Sequence, residues 1–370
     1  MESVPYIDLF ARPAAFLEAR KRAVMRVLDT GPFIGGSEVE SFEQEWAAFI
    51  GVNHCVGVGN GLDAITLGLR ALGIGRGDYV ALPAHTFIAT WLAVLHVGAT
   101  PIGVDCDHRG QMDPVLLDKL DPAPNAVIVT HMHGIAADIR RIAAWASSNG
   151  VLLLEDCAQA HGAMIDGRPL GSWGHVGAFS FYPTKNLGAF GDAGALVTND
   201  PEVASDARSL ANYGSSQADR YMHHTLGVNS RLDPLQAAAL KVGLRYLEEH
   251  NDERRHAAAT YLSLLESEDS RVTCLTRDPE ASVWHHFVVR VENRDWLRRS
   301  LLDEEGIATE VHYPRVAAHE ASDMQGIHRQ SFPVAEDLSR RGLSLPIFPG
   351  ITTHQIEHVV DRLLSLVSRC

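Results

Sequence analysis

Short, continuous apolar runs alternate with longer stretches of mixed polarity through the first two thirds of the chain. The runs cover 55–58, 79–82, 101–104, 126–129, 151–154, 176–181 and 195–197. Runs that do not alternate with polar residues belong to strands buried on both faces, and such strands separated by helices form a largely parallel sheet with helices on each side. The pattern therefore predicts a doubly wound α/β architecture. Residues 38–72 read as two helices around the first strand.

From about residue 251 the pattern changes. A long polar helix carrying Arg254, Arg255 and Tyr261 leads to a strand over 284–291, a helix near 296–305, a strand through 309–313 and a terminal helix over 353–366. That order predicts a smaller α+β lobe, and divides the chain into a large domain, 1–250, and a small C-terminal domain, 251–370. The total of 370 residues agrees with two lobes.

Composition narrows the function classes. Hydrophobic residues make up 46% and charged ones 21%, as in an ordinary globular protein. The net charge of −14 argues against nucleic acid or an anionic membrane as partner, so a phosphorylated ligand has to be held by local groups. Five scattered cysteines without a C-x-x-C pair indicate neither a disulfide framework nor a zinc knuckle. The apolar runs are too short for a membrane span, and the start MESVPYIDLF lacks the features of a signal peptide. A cytoplasmic location is expected.

Two of the buried runs end abruptly in charge. The run 151–154 stops at Glu155-Asp156, and the run 176–182 stops at Pro183-Thr184-Lys185. In an open parallel sheet ligands sit outside the carboxyl ends of the strands, so Asp156 and Lys185 face one crevice. A carboxylate and an amine there suit a pyridoxal phosphate site, the amine forming a Schiff base and the carboxylate keeping the pyridine nitrogen protonated. A structural ion pair at a sheet edge fits the same two residues. Glu155 is expected on the opposite face, in a structural role. Gly59-Asn60-Gly61-Leu62-Asp63 joins a strand to a helix, and the N–H groups of Gly61, Leu62 and Asp63 would meet an anion there. The same turn also suits a plain strand-to-helix connection. His131 and His133, two apart on a strand, are expected to share a face, which is how a metal site begins, although no third ligand is evident.

The longer motifs separate these readings. D-x-A-Q-A-H-G-A from Asp156 to Ala163 and S-F-Y-P-T-K-N-L-G from Ser180 to Gly188 resemble the DegT/StrS-type nucleotide-sugar aminotransferases, pyridoxal phosphate enzymes of fold type I. The resemblance runs from Gly31-Pro-Phe-Ile-Gly-Gly to Ser344-Leu-Pro-Ile. It implies that Lys185 is the Schiff-base lysine and proton carrier, and that Asp156 lies beneath the pyridine nitrogen. It further implies that Gln159 bonds the cofactor's 3′-oxygen, that Ser180 contacts its phosphate and that Phe87 stacks on its ring. Asn229 would reach the phosphate of the neighbouring subunit, making a homodimer with sites at the interface.

Gly59-Asn-Gly-Leu-Asp-Ala, Asn212-Tyr-Gly-Ser and Trp284-His-His-Phe resemble the 3-amino-sugar branch. Tyr182, Tyr221, His312 and His319 match positions near the sugar or its diphosphate there, and Arg220 stands where relatives carry lysine. The function so implied is amination of a nucleotide-linked ketosugar, a dTDP-3-keto-6-deoxyhexose, with glutamate as donor. The alternatives are a 4-keto sugar transaminase, a non-enzymatic regulator and a metal-dependent hydrolase. Lys185 disfavours the related dehydratases, which carry histidine at that position.

Overall fold

The computed structural model describes residues 3–215, 221–265, 271–326 and 328–369. The apolar runs form the strands β1 (His54–Val58), β2 (Tyr79–Pro83), β3 (Thr100–Val104), β4 (Ala126–Thr130) and β5 (Leu152–Asp156). A small hairpin, β6 (Met164–Ile165) and β7 (Arg168–Pro169), precedes β8 (Val176–Ser180) and β9 (Gly194–Thr198). The seven-stranded sheet has the order β1-β9-β8-β5-β4-β2-β3.

Side chains alternate through this sheet into two apolar layers. Val80, Leu82, Ile128, Leu154 and Val176 belong to one core, Ala81, Val127, Val129, Leu153 and Phe179 to the other. Burial on both faces explains why the runs show no polar alternation. Helix Gly61–Ala71 lies close on the sheet, since a Cβ at Gly68 would come within 2.9 Å of Val176 Cγ1. The sheet is parallel except at β9, which pairs antiparallel with both β1 and β8. No helix intervenes between β8 and β9, so the chain turns back beside the strand it has just left. The short run 195–197 carries no sign of that reversal.

The smaller lobe is built on an antiparallel sheet β10-β11-β12, formed by Thr273–Cys274, Phe287–Arg290 and Gly342–Leu345. Helices Leu247–Leu264, Arg294–Glu305 and Thr353–Val367 enclose a core that includes Tyr261, Phe287, Leu297 and Val359. Val4 belongs to this core and forms a bridge to Ile307. The residue 250/251 border falls inside helix Leu247–Leu264, with Leu247 in a large-lobe core and Tyr261 in the small-lobe core.

The expected strand over 309–313 is not formed. Glu310 makes one bridge to Ser344, and the chain then leaves the sheet, so that His312 and Tyr313 line a cavity between the lobes. The third strand is instead β12, which the sequence reading passed over. The architecture is that of fold type I, a large, mostly parallel α/β domain with a smaller α+β lobe.

Candidate active site

The carboxyl ends of β5 and β8 and the start of helix Gly61–Ala71 open onto one cavity of about 560 Å³. Gly61, Leu62, Phe87, Asp156, Gln159, Ser180, Tyr182, Lys185 and His312 all line it. Thus nine of the residues singled out from sequence meet in one place.

Asp156 ends β5 with its carboxylate buried. Oδ2 accepts from the Thr90 hydroxyl at 2.8 Å, and Oδ1 accepts from the Ala158 N–H at 3.1 Å. Burial raises its pKa, while these bonds and nearby Lys185 work the other way. Lys185 is lowered to about 8 by burial, against the opposing pull of Asp156. An amine at that value is partly unprotonated near neutral pH and so is available as a nucleophile.

The helix start is only partly free. Asn60 caps it, its Oδ1 accepting from the Asp63 N–H at 2.9 Å. Of the three N–H groups expected to face an anion, that of Asp63 is therefore already bound. The Asp63 carboxylate accepts from Asn60 Nδ2 at 3.0 Å and from the Ser230 hydroxyl at 2.6 Å, beside a separate cleft. Gly61 and Leu62 remain on the cavity wall. A Cβ at Gly61 would stand 2.7 Å from Ser180 Cβ, so only glycine permits this approach.

Gln159 is fixed from both ends. Its Oε1 accepts from the His133 N–H at 2.6 Å, and its Nε2 donates to the Tyr313 hydroxyl at 3.0 Å. Phe87 presents a ring 52% exposed, with its centroid 5.3 Å from that of Tyr313.

Besides Asp63, three expected residues lie elsewhere. Asn229 borders the neighbouring cleft with Asp63 and Arg231, where its Oδ1 accepts from Arg231 Nε at 2.8 Å. His319 sits in helix Ala317–Gln325, turned to the Gln330 carbonyl at 2.8 Å. Tyr221 is 75% exposed and does not line the cavity. Arg220 lies outside the described residues.

His131 and His133 do not share a face. The strand ends at Thr130, and His133 adopts φ 63° in the turn that follows. His131 Nδ1 accepts from the Ala137 N–H at 3.2 Å, so Nε2 carries the proton given to Glu155 at 3.2 Å. His133 instead places Nδ1 3.3 Å from His286 Nδ1. His131, Glu155 and Cys157 have ligand atoms within 4.8 Å of one another. The Glu155 carboxylate, however, already accepts from three backbone N–H groups, those of Gly171, Trp173 and Gly174. That arrangement is structural, as expected for Glu155.

Sequence reasoning missed Thr90, His285 and His286 as wall residues, and reached Tyr313 only as part of the segment His312-Tyr-Pro. Thr90 had a signal, since it stands three residues after Phe87 at a helix start and so lies on the same side. The two histidines and Tyr313 come from the small lobe, and only the docking of the lobes brings them in.

The expected cofactor fits these residues. Amine, carboxylate, glycine approach and aromatic face converge on a cavity large enough for a phosphorylated pyridine.

The comparisons agree. The model of the DegT/DnrJ/EryC1/StrS aminotransferase family matches residues 16–364. The chain is 45% identical to the dTDP-3-amino-3,4,6-trideoxy-alpha-D-glucose transaminase of Streptomyces venezuelae, over 99% of this chain and 97% of that protein. It is 41% identical to the dTDP-3-amino-3,6-dideoxy-alpha-D-galactopyranose transaminase of Aneurinibacillus thermoaerophilus, over 97% and 98%. The crystal structure of S. venezuelae DesV in complex with a ketimine intermediate superposes with a TM-score of 0.94 at 43% identity, covering 100% of both chains. The chain belongs to the DegT/DnrJ/EryC1/StrS aminotransferase family and is a sugar aminotransferase whose cofactor is pyridoxal 5′-phosphate.

Proposed function

We propose that the enzyme transfers an amino group to carbon 3 of a nucleotide-linked ketosugar, a dTDP-3-keto-6-deoxyhexose, with glutamate as donor. The observation that carries this reading is Lys185 facing Asp156 in a cavity shared with Tyr182 and His312, in a chain similar over its length to two dTDP-3-amino-sugar transaminases.

The bound cofactor supplies an electron sink for the carbon that loses or gains a proton. Lys185 would hold the cofactor, and its amine would carry that proton. Asp156 keeps the pyridine nitrogen protonated, with Thr90 and the Ala158 N–H orienting the carboxylate. Gln159, placed by His133 and Tyr313, binds the 3′-oxygen, and Phe87 covers the ring and keeps water away. Gly61, Leu62 and Ser180 hold the phosphate. Asn229 completes that cradle from the partner subunit, which makes the active unit a homodimer; its position outside its own chain's cavity is consistent with service to another. Tyr182 and His312 contact the sugar, and Tyr221 and His319, which lie outside the cavity wall, are assigned to the diphosphate.

A cytoplasmic enzyme belongs to the same reading. Cys55, Cys106, Cys157 and Cys274 are free thiols, and no helix among the described residues is long and apolar enough to cross a membrane.

The test is incubation with glutamate and, separately, the 3-keto and 4-keto dTDP-6-deoxyhexoses, with products read by NMR. Amination of the 3-keto compound is expected. Amination of the 4-keto compound alone overturns the carbon assignment, and no amination of either overturns the substrate class.

A further inference from the structure

We infer that His285 determines substrate specificity, its Nε2 accepting a hydrogen bond from a sugar hydroxyl next to the carbon that receives the amino group. This rests on the ketosugar reading above.

The tautomer of His285 follows from a chain of buried amides. A main-chain carbonyl can only accept, so the Asn251 atom 2.8 Å from the His161 carbonyl is Nδ2. By the same logic the Asn186 atom 2.8 Å from the Val283 carbonyl is Nδ2. That group also donates to Asn251 Oδ1 at 2.8 Å. Asn186 Oδ1 is thereby left as an acceptor, and it meets His285 Nδ1 at 3.1 Å. Nδ1 carries the hydrogen. Nε2 of a neutral ring is then a bare acceptor, and no atom of the described residues engages it.

Neutrality is enforced. Burial holds the imidazole well below its usual titration range, and Lys185 is the foremost charge acting in the same direction. The backbone that carries the ring is pinned as well, because Arg254 Nη1 donates to the carbonyls of Trp284 at 2.9 Å and Ile347 at 3.0 Å, and is 3.4 Å from that of His285. Asn186, Asn251 and Arg254 are all buried.

His285 lines the cavity with Lys185, and its anchor Asn186 is the next residue in the chain after that lysine. The ring therefore lies near enough to the reacting amine to feel its charge. The cofactor would offer it no hydrogen, because Asp156 would take the pyridine N–H and the 3′-oxygen and phosphate would act as acceptors. A ring hydroxyl of the sugar supplies one. Leaving a buried acceptor unmet costs about 1–3 kcal/mol, roughly a ten- to hundredfold preference against an analogue lacking that hydroxyl.

The experiment uses the holoenzyme and two variants. His285→Asn places an amide nitrogen where Nδ1 stood, keeping the bond to Asn186 while removing Nε2. His285→Gln returns an amide oxygen to the region of Nε2. Each is assayed for kcat/KM with a dTDP-3-ketosugar bearing both neighbouring hydroxyls and with its 2-deoxy and 4-deoxy analogues. Wild type is expected to disfavour one deoxy analogue about ten- to hundredfold. In His285→Asn that ratio falls towards one through loss with the hydroxylated sugar alone, and His285→Gln restores part of it. In single turnovers the loss falls on the sugar half-reaction, at least tenfold beyond any loss with glutamate. A ratio unchanged in His285→Asn, or equal losses in both half-reactions, overturns the inference. Wild type inert towards every ketosugar removes the substrate reading itself, an outcome visible before any variant is made.

Discussion

Glu155 and Asp156 are consecutive residues of β5 whose carboxylates leave the strand on opposite faces. The Glu155 oxygens accept N–H groups from Gly171, Trp173 and Gly174 and the ring of His131, whereas Asp156 opens onto the cavity beside Thr90. The period-two geometry of a strand thus gives one acid to the fold and the next to the chemistry.

Glu155→Gln replaces an acceptor-only group with one that must point an N–H₂ at hydrogen-bond donors. A destabilisation of about 2–4 kcal/mol is expected in urea titration, with residual activity in the folded fraction. A variant within half of ~1 kcal/mol of wild type would show that these backbone bonds are dispensable.

Asp156→Asn keeps size and removes charge. Both the Thr90 and the Ala158 contact reach oxygen atoms, so one of them is lost or inverted as well. The rate is expected to fall by at least about a hundredfold with the fold intact. Activity within a few-fold of wild type would reduce Asp156 to a helix-capping role.

Lys185→Ala is expected to abolish turnover and the visible colour of the holoenzyme while circular dichroism stays unchanged. The pH dependence gives an independent check. Capture of the cofactor by apoenzyme should rise with pH around a midpoint of about 8. Between about 8 and the ordinary value of 10.5 the unfolded chain binds the lysine's proton more tightly than the folded one. The stability of the apoenzyme therefore gains from this residue as pH rises through that window, and below it the full penalty of the buried charge remains. Lys185→Met should flatten that part of the profile, and an unaltered slope would place the lysine in ordinary solvent.

Gly61→Ala sets a methyl group against Ser180. Weaker cofactor retention on dialysis, at least about tenfold, is expected. Adding Ser180→Gly to the same chain should relieve the clash without restoring the lost hydroxyl contact. Unimpaired retention in Gly61→Ala would move the phosphate away from this helix start.

Co-expression of Lys185→Ala with Asn229→Asp chains tests the shared site. If Asn229 serves its partner, a hybrid dimer holds one site free of both changes, and random pairing gives about a quarter of wild-type activity. Mixtures no better than either parent would put Asn229 in its own subunit's site.

The large sheet was legible because its strands are buried on both faces and because Asp156 and Lys185 interrupt apolar runs. Two motifs placed Asp156, Gln159, Ser180, Tyr182 and Lys185 on the cavity wall. Of the small-lobe contribution only His312 was legible from the resemblance, since His285, His286 and Tyr313 approach Lys185 only when the lobes dock, and no local pattern records a contact across about a hundred residues. The expected strand at 309–313 failed for the same reason. Its apolar and polar order suits a strand, yet after one bridge at Glu310 the segment contributes His312 and Tyr313 to the cavity. The turn at His133 was misread because the strand stops at Thr130 and His133 takes φ 63°, a change that the apolar run before it does not announce.

The reversal of β9 bears on motion. Ser180 and Gly194 are paired across adjacent strands, so the loop carrying Lys185 is a closed span with both feet in the same ladder. Its ends cannot part without breaking the sheet, and little slack is left for the backbone at the lysine. The amine therefore shuttles on the torsions of its own side chain, while any opening that admits a bulky nucleotide has to come from parts of the molecule other than this span.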